Sequence, residues 1–336
     1  MDTKRLILFV IFSFSLILLW DSFQKKNIPV EQPKNVDLSL PEPSNDLVAS
    51  NDLPKSFNQF EIGSEESIDV KTDLLELNIN TLGGDIRQLN FKKHLANDSK
   101  NNYEFMTDIS NSGNKYLFYI AQTGLLGTSL PTHKSLFKSD QKSYQMNSDK
   151  LIVPLVFENE NVLVKKTYEF NQGSYLIKTI FEIQNKTNNI LKSSAYYQFV
   201  HDGKSGEATA MMPTFTGPAF FTDKEKFDKL DFSDVNKKSF SKITDNGWIG
   251  IIQPYFAATW ILPTDLSREF YTKKITDNIY SVGVLTKLKD IPGGQNSIFS
   301  TILFAGPQAK EELNKAATGM NYVVDYGILH FIAAPL

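Results

Sequence analysis

The stretch from Val162 to Asn189, VLVKKTYEFNQGSYLIKTIFEIQNKTNN, limits most severely what this chain can fold into. Side chains on a strand alternate between faces, so Val162, Val164, Lys166, Tyr168 and Phe170 share one face of the first run. Tyr175, Ile177, Thr179, Phe181 and Ile183 share one face of the second. Between them lies Asn171-Gln172-Gly173-Ser174, and two alternating runs around a Gly-containing turn predict a β-hairpin. The same period recurs at Leu74 to Ile79, Tyr116 to Gln122, Leu151 to Glu158, Ser194 to His201, Trp248 to Leu262, Phe270 to Ile275, Tyr280 to Thr286 and Ser297 to Phe304. Gly83-Gly84, Asp202-Gly203, Asp245-Asn246-Gly247 and Pro292-Gly293-Gly294 supply turns between these runs. Helical periodicity is nearly absent. One helix is expected near the end, with Pro307 at its first position, Glu311 and Glu312 early, where the helix dipole favours acids, and Gly319 closing it. Many strands with no linker between them argue one large antiparallel sandwich over residues 57–318 rather than a βαβ fold.

Composition narrows function mainly by exclusion. A net charge of −3 and the absence of a basic patch argue against a nucleic-acid partner. The pairs Lys25–Lys26, Lys92–Lys93, Lys165–Lys166, Lys237–Lys238 and Lys273–Lys274 read as solvated surface. With no cysteine, disulfides, thiolate metal sites and cysteine nucleophiles are excluded. The four histidines, His94, His133, His201 and His330, show no metal-ligand spacing, and no nucleophile elbow or phosphate-binding loop occurs, so no cofactor or metal is expected. His201 and Asp202 are the one acid–base pair, at a strand end beside a glycine; the plainer reading is a strand-end histidine and a turn aspartate. Gly83-Gly84 reads as a turn requiring positive φ. The aromatics Trp248, Tyr255, Phe256 and Trp260 suit a sugar platform, but suit a buried central strand better.

Both ends of the chain differ from its middle. Leu6 to Trp20 is fifteen residues without a charge, preceded by Lys4 and Arg5. Counted from Thr3 to Phe23 the segment reaches roughly 31 Å as a helix, enough to span the hydrocarbon layer, with Leu6 and Leu19 inside it and Trp20 at the interface. The sequence after it, DSFQKKN, lacks the small residues of a signal-peptide cleavage site, which favours an uncleaved anchor in residues 1–24 over a signal peptide. Lys4 and Arg5 keep the N-terminus cytoplasmic, leaving the rest outside. Residues 25–56, with Pro29, Pro33, Pro41, Pro43 and Pro54 among acids and asparagines, have the composition of a disordered tether. Residues 319–336 end on DYGILHFIAAPL, which carries no formal charge after Asp325; as a helix lying on a membrane it would place Tyr326, His330 and Phe331 in the interface.

Seven stretches in order, the anchor, TLGGDIRQL, KKTYEFNQGSYLIKTIFEI, GPAFFTDKEKFDKLDF, NGWIGIIQPYFAATWILP, LFAGPQAKEELNKAA and VDYGILHFIAAPL, together resemble the bacterial membrane protein insertase family YidC in its Gram-negative form. The resemblance implies a non-enzymatic protein of the inner membrane that assists integral membrane proteins to insert and fold, alone or beside the Sec translocon and its accessory subunits. It also implies a periplasmic supersandwich similar to galactose mutarotase. In the family, an interfacial helix and five membrane helices enclosing a polar groove follow the stretch DYGILHFIAAPL. This sequence stops at Leu336, so a truncated form, unable to insert substrates alone, is the expectation. Pro254 departs from the histidine or glutamine expected at its position. The alternative function is a membrane-tethered periplasmic sugar-binding or mutarotase-like domain, resting on the sandwich and on Trp248, Tyr255 and Trp260.

Overall fold

The computed structural model describes residues 66–96, 100–108, 118–204, 215–264, 266–276 and 278–324, together with three isolated helical positions, Phe12, Ser15 and Leu16. The expected anchor residues Lys4, Arg5, Leu6, Leu19 and Trp20 and the interfacial residues Tyr326, His330 and Phe331 lie outside the described residues. Among the described residues no helix is long and apolar enough to cross a membrane.

In chain order the first strands are β1 (Ser67–Lys71), β2 (Leu75–Asn80), β3 (Asp85–Leu95), β4 (Asn102–Met106), β5 (Tyr119–Leu126) and β6 (Ser143–Gln145). Next come β7 (Lys150–Glu158), β8 (Val162–Asn171), β9 (Leu176–Asn185), β10 (Ser194–His201), β11 (Gly217–Thr222) and β12 (Lys226–Lys229). A short helix α1 (Phe232–Lys237) leads to β13 (Phe240–Thr244), β14 (Trp248–Ile252), β15 (Phe256–Ile261), β16 (Arg268–Thr276), β17 (Ile279–Lys287) and β18 (Asn296–Pro307). The helix α2 (Lys310–Ala316) and a 3-10 turn, Met320–Val323, close the described chain. One sheet has ten strands in the order β13-β16-β17-β10-β5-β3-β2-β1-β6, with β4 also paired to β3; the other has eight, β12-β11-β14-β15-β18-β9-β8-β7. All pairings are antiparallel except β1 with β6.

The predicted hairpin is β8–β9, with Val164 opposite Ile183, Lys166 opposite Phe181 and Phe170 opposite Ile177. Every residue assigned to its inner face is buried, Lys166 included. Lys166 was expected at the surface as half of a lysine pair; instead its side chain is fully enclosed, while Lys165 points outward and meets Glu182 at 3.3 Å. Strand parity decides this, because neighbouring residues face opposite ways.

Two further expectations are corrected. Trp248 to Leu262 forms two strands, not one, because the chain reverses at Gln253-Pro254-Tyr255, with Gln253 N–H donating to the Phe256 carbonyl at 2.9 Å. Pro307 ends β18 opposite Phe256 rather than opening the helix. The helix starts three residues later, with Glu311 and Glu312 in its first turn as expected. Trp248, Phe256 and Trp260 are buried, with Trp260 stacked on Phe199 from the facing sheet at 5.5 Å, so these rings fill the core and form no platform; Tyr255 alone is exposed. Burying each such ring contributes about 1.5–3 kcal/mol. The short strands β1, β4, β6, β11, β12 and β13 were not anticipated; sequences such as KFDK carry too little alternation to read as strands alone.

Candidate functional site

The densest buried polar chemistry gathers around the Gly83-Gly84 turn. Both glycines adopt left-handed φ, +75° and +62°, and a Cβ at Gly83 would fall 2.6 Å from the His133 carbonyl oxygen, so only glycine fits. The turn is held from the opposite sheet. Lys166 Nζ donates to the Gly83 carbonyl at 2.8 Å and Tyr168 OH donates to the Gly84 carbonyl at 2.7 Å.

Asp85, the first residue of β3, lies between this turn and a ladder of side chains across the ten-stranded sheet. Tyr271 OH donates to Gln198 Oε1 at 2.8 Å, Gln198 Nε2 to Gln122 Oε1 at 3.0 Å, and Gln122 Nε2 to Asp85 Oδ2 at 2.9 Å. Gln122 and Gln198 are opposite each other in the β5–β10 register, which places their amides in contact. Every donor points toward the carboxylate, so the ladder favours its ionised form. Lys166 Nζ at 4.0 Å and the Arg87 guanidinium at 3.6 Å favour it too.

Burial works against both charges. It raises the Asp85 carboxyl above the ordinary range despite Lys166, Arg87 and Gln122, and it draws Lys166 down to about 8 against the pull of Asp85. The rings of Phe137, Tyr168 and Phe181 surround the ammonium within 6 Å. With Asp85, Gln122 and Lys166 buried, the hydrogen bonds of this cluster tie the two sheets together.

His201 and Asp202 occupy the end of β10. Their side chains approach at 3.6 Å, yet each is committed to backbone. His201 Nδ1 accepts the Gly203 N–H at 2.9 Å, while the Asp202 carboxylate accepts the Phe118 N–H at 3.2 Å and the Lys204 N–H at 3.0 Å. The imidazole stacks on Phe232 at 5.2 Å and meets the edge of Tyr119 at 4.9 Å. Burial lowers His201 to about 3 and raises Asp202 to about 6. A neutral, enclosed imidazole with its Nδ1 already accepting a hydrogen bond is poorly placed for solvent proton transfer.

Sequence reasoning missed Asp85, Gln122, Gln198 and Tyr271 as a group. The available signal was a set of polar residues at strand positions whose neighbours are apolar, and it does not say which strands become adjacent. Elsewhere, a polar groove of about 460 Å³ is lined by residues including Lys71, Thr72, Asp73, Lys92, Met146 and Gln172. Its lysines are tied down, Lys71 to Glu76 and Lys92 to the Thr72 carbonyl, both at 2.7 Å. Among the described residues no cluster of three or more His, Asp or Glu side chains is arranged to hold a metal ion.

Fold and site together define a large, mainly antiparallel β-sandwich whose buried polar groups brace the scaffold. The chain belongs to the family described as the YidC periplasmic domain, whose model matches residues 67–336. It is 43% identical over 350 residues to the membrane protein insertase YidC of Methylobacillus flagellatus, an alignment covering 100% of this chain and 62% of that protein. It is 37% identical over 355 residues to the insertase YidC of Dechloromonas aromatica, covering 100% and 62% respectively. The chain thus spans less than two thirds of the length of these relatives. Among solved structures, a galactose mutarotase-like protein from Lactobacillus casei gives a TM-score of 0.46 at 12% identity, covering 71% of this chain and 100% of that one. A putative aldose 1-epimerase from Escherichia coli gives 0.42 at 10% identity, covering 72% and 99%. Likenesses of this extent carry no argument about activity.

Proposed function

We propose that this chain is the membrane-anchored, periplasmic portion of a membrane protein insertase of the bacterial inner membrane, acting on nascent membrane proteins as clients. The observation that carries the reading is identity of 34–43% along the whole chain to proteins named membrane protein insertase YidC. In this reading residues 1–24 anchor the protein, with Lys4 and Arg5 cytoplasmic, Leu6 to Leu19 in lipid and Trp20 at the far interface. Residues 25–56 form the tether, 57–318 the periplasmic sandwich, and 319–336 the return to the membrane surface, with Tyr326, His330 and Phe331 facing it. The sandwich performs no catalysis and needs no cofactor; it offers a rigid docking body beside the Sec translocon and its accessory subunits. His201 and Asp202 serve to fix the β10 turn.

The test is genetic. A chimera in which residues 1–336 replace the matching part of a relative's insertase is expected to restore growth when the host's own insertase is depleted. A chimera that accumulates to normal levels in the membrane yet fails to support growth would overturn the reading.

A further inference from the structure

We propose that Asn246-Gly247, in the turn between β13 and β14, is a site of spontaneous succinimide formation and deamidation in the folded protein. It is the one Asn-Gly pair in the sequence. An asparagine side chain reacts with the backbone nitrogen of the next residue where that nitrogen can be approached, and glycine, with no Cβ, hinders the approach least. The fold requires this glycine. Its φ is +89°, and an added Cβ would overlap the Phe221 carbonyl oxygen, so the pair cannot be relieved at its second residue without moving β11.

The turn also prepares the asparagine. Asn246 is partly exposed; its Oδ1 accepts the Asp223 N–H at 2.8 Å, and its Nδ2 donates to Asp245 Oδ1 at 2.7 Å. The Gly247 N–H makes no hydrogen bond among the described residues, although the Gly247 carbonyl accepts from Arg268 Nη1 at 3.2 Å. The nucleophilic nitrogen is thus free, while the side-chain carbonyl it attacks is polarised by a backbone donor.

Water is the sole co-reactant. The Gly247 nitrogen attacks Asn246 Cγ, the new C–N bond closes a five-membered ring, and negative charge gathers on Oδ1, where the Asp223 N–H already points. The Cγ–Nδ2 bond then breaks, and Nδ2 leaves as ammonia with the proton lost from Gly247. Water opens the succinimide at either carbonyl, giving aspartate or isoaspartate at 246 with no change in oxidation state. Aspartate keeps the backbone and sets a third carboxylate beside Asp223 and Asp245. Isoaspartate routes the main chain through the former side chain and lengthens it by a methylene just before Trp248. That residue is buried, pairs with Phe221 and Ile261, and donates from Nε1 to the Thr318 carbonyl at 3.1 Å, so the lengthening falls on the strand that holds the last turn.

The test incubates the full chain in detergent at physiological temperature, at neutral and at mildly alkaline pH. Digestion and mass spectrometry then follow the exchange of amide for acid at each asparagine, and enzymatic isoaspartyl methylation counts isoaspartate. Asn147-Ser148 and Asn296-Ser297 serve as references, together with the same chain unfolded in urea. The expected result is conversion at 246 several-fold faster than at either reference, rising with pH, and at least as fast in the folded chain as in the unfolded one. Asn246→Gln, whose longer side chain would have to close a six-membered ring, is expected to abolish conversion at this position. Conversion several-fold slower in the folded chain than in the unfolded one would show that the turn protects the amide, and would overturn the proposal. Conversion at 246 no faster than at the references would overturn it as well.

Discussion

Two buried acid–base pairs sit in this sandwich under opposite regimes. Asp85 and Lys166 come from facing sheets, 81 positions apart in the chain, and share one enclosed site with Arg87 and the amide ladder. His201 and Asp202 are neighbours in sequence and give their polar atoms to nearby backbone. The first pair remains buried because charge meets charge. The second does so because the histidine stays neutral and backbone N–H groups satisfy the carboxylate. Burial alone therefore does not decide whether a titratable group crosslinks a fold or merely caps a turn; the partner does.

The largest effect expected is from separating the first pair. Lys166→Ala removes one of the two cations beside the buried Asp85 carboxylate and unpairs the Gly83 carbonyl, and is expected to cost about 3–5 kcal/mol in urea unfolding followed by tryptophan fluorescence. Asp85→Asn with Lys166→Met, which removes both charges of the pair but leaves the Arg87 guanidinium, should recover part of that loss. If the double variant is as unstable as the single one, the cross-tie is not held by charge pairing.

The second pair is broken by pH. His201, depressed from 6.5 to about 3, contributes stability that is present above pH 6.5 and lost as pH falls toward 3. Asp202, raised from 3.8 to about 6, contributes in the opposite sense: its stabilisation is present below pH 3.8 and lost as pH rises through 6. Between pH 3.8 and 6 the two slopes, each at most about 1.4 kcal/mol per pH unit, oppose one another. Asp202→Asn should leave a protein that weakens as that window is descended, and His201→Asn one that strengthens. Parallel shifts in both variants would show that the pair does not titrate as described.

Smaller effects sharpen the contrast. Gly83→Ala forces a side chain into left-handed backbone and should cost at least about 1–2 kcal/mol, with Lys166 in place to report it. Above pH 8 the wild type should gain relative to Lys166→Met, because the depressed lysine of the folded state has lost its proton while the unfolded chain keeps it up to 10.5. Lys165→Ala, which removes an exposed partner of Glu182, should change stability by less than about 1 kcal/mol.

Adjacent Lys165 and Lys166 show what was legible and what was not. Alternation placed Lys166 with Val164 and Tyr168, while composition placed it with the solvated lysines; parity was right, since an inner-face position follows its strand whatever its charge. The hairpin, the strand Ser194–His201 and the acidic first turn of the last helix could be read locally, because each depends on a few consecutive residues. The split of the Trp248 strand at Pro254 and the assignment of Pro307 to β18 could not, because both depend on pairings with chain elsewhere.

Periodicity and composition are local properties, and they already specify a β-rich chain with an uncharged apolar stretch near each end and no cysteine chemistry. Sheet order and register, by contrast, set Gln122 opposite Gln198, bring Lys166 to Gly83 and stack Tyr322 on Phe221. Those contacts join residues from 76 to 101 positions apart, and their energy exists only once sheet order and register have brought them within a few ångströms.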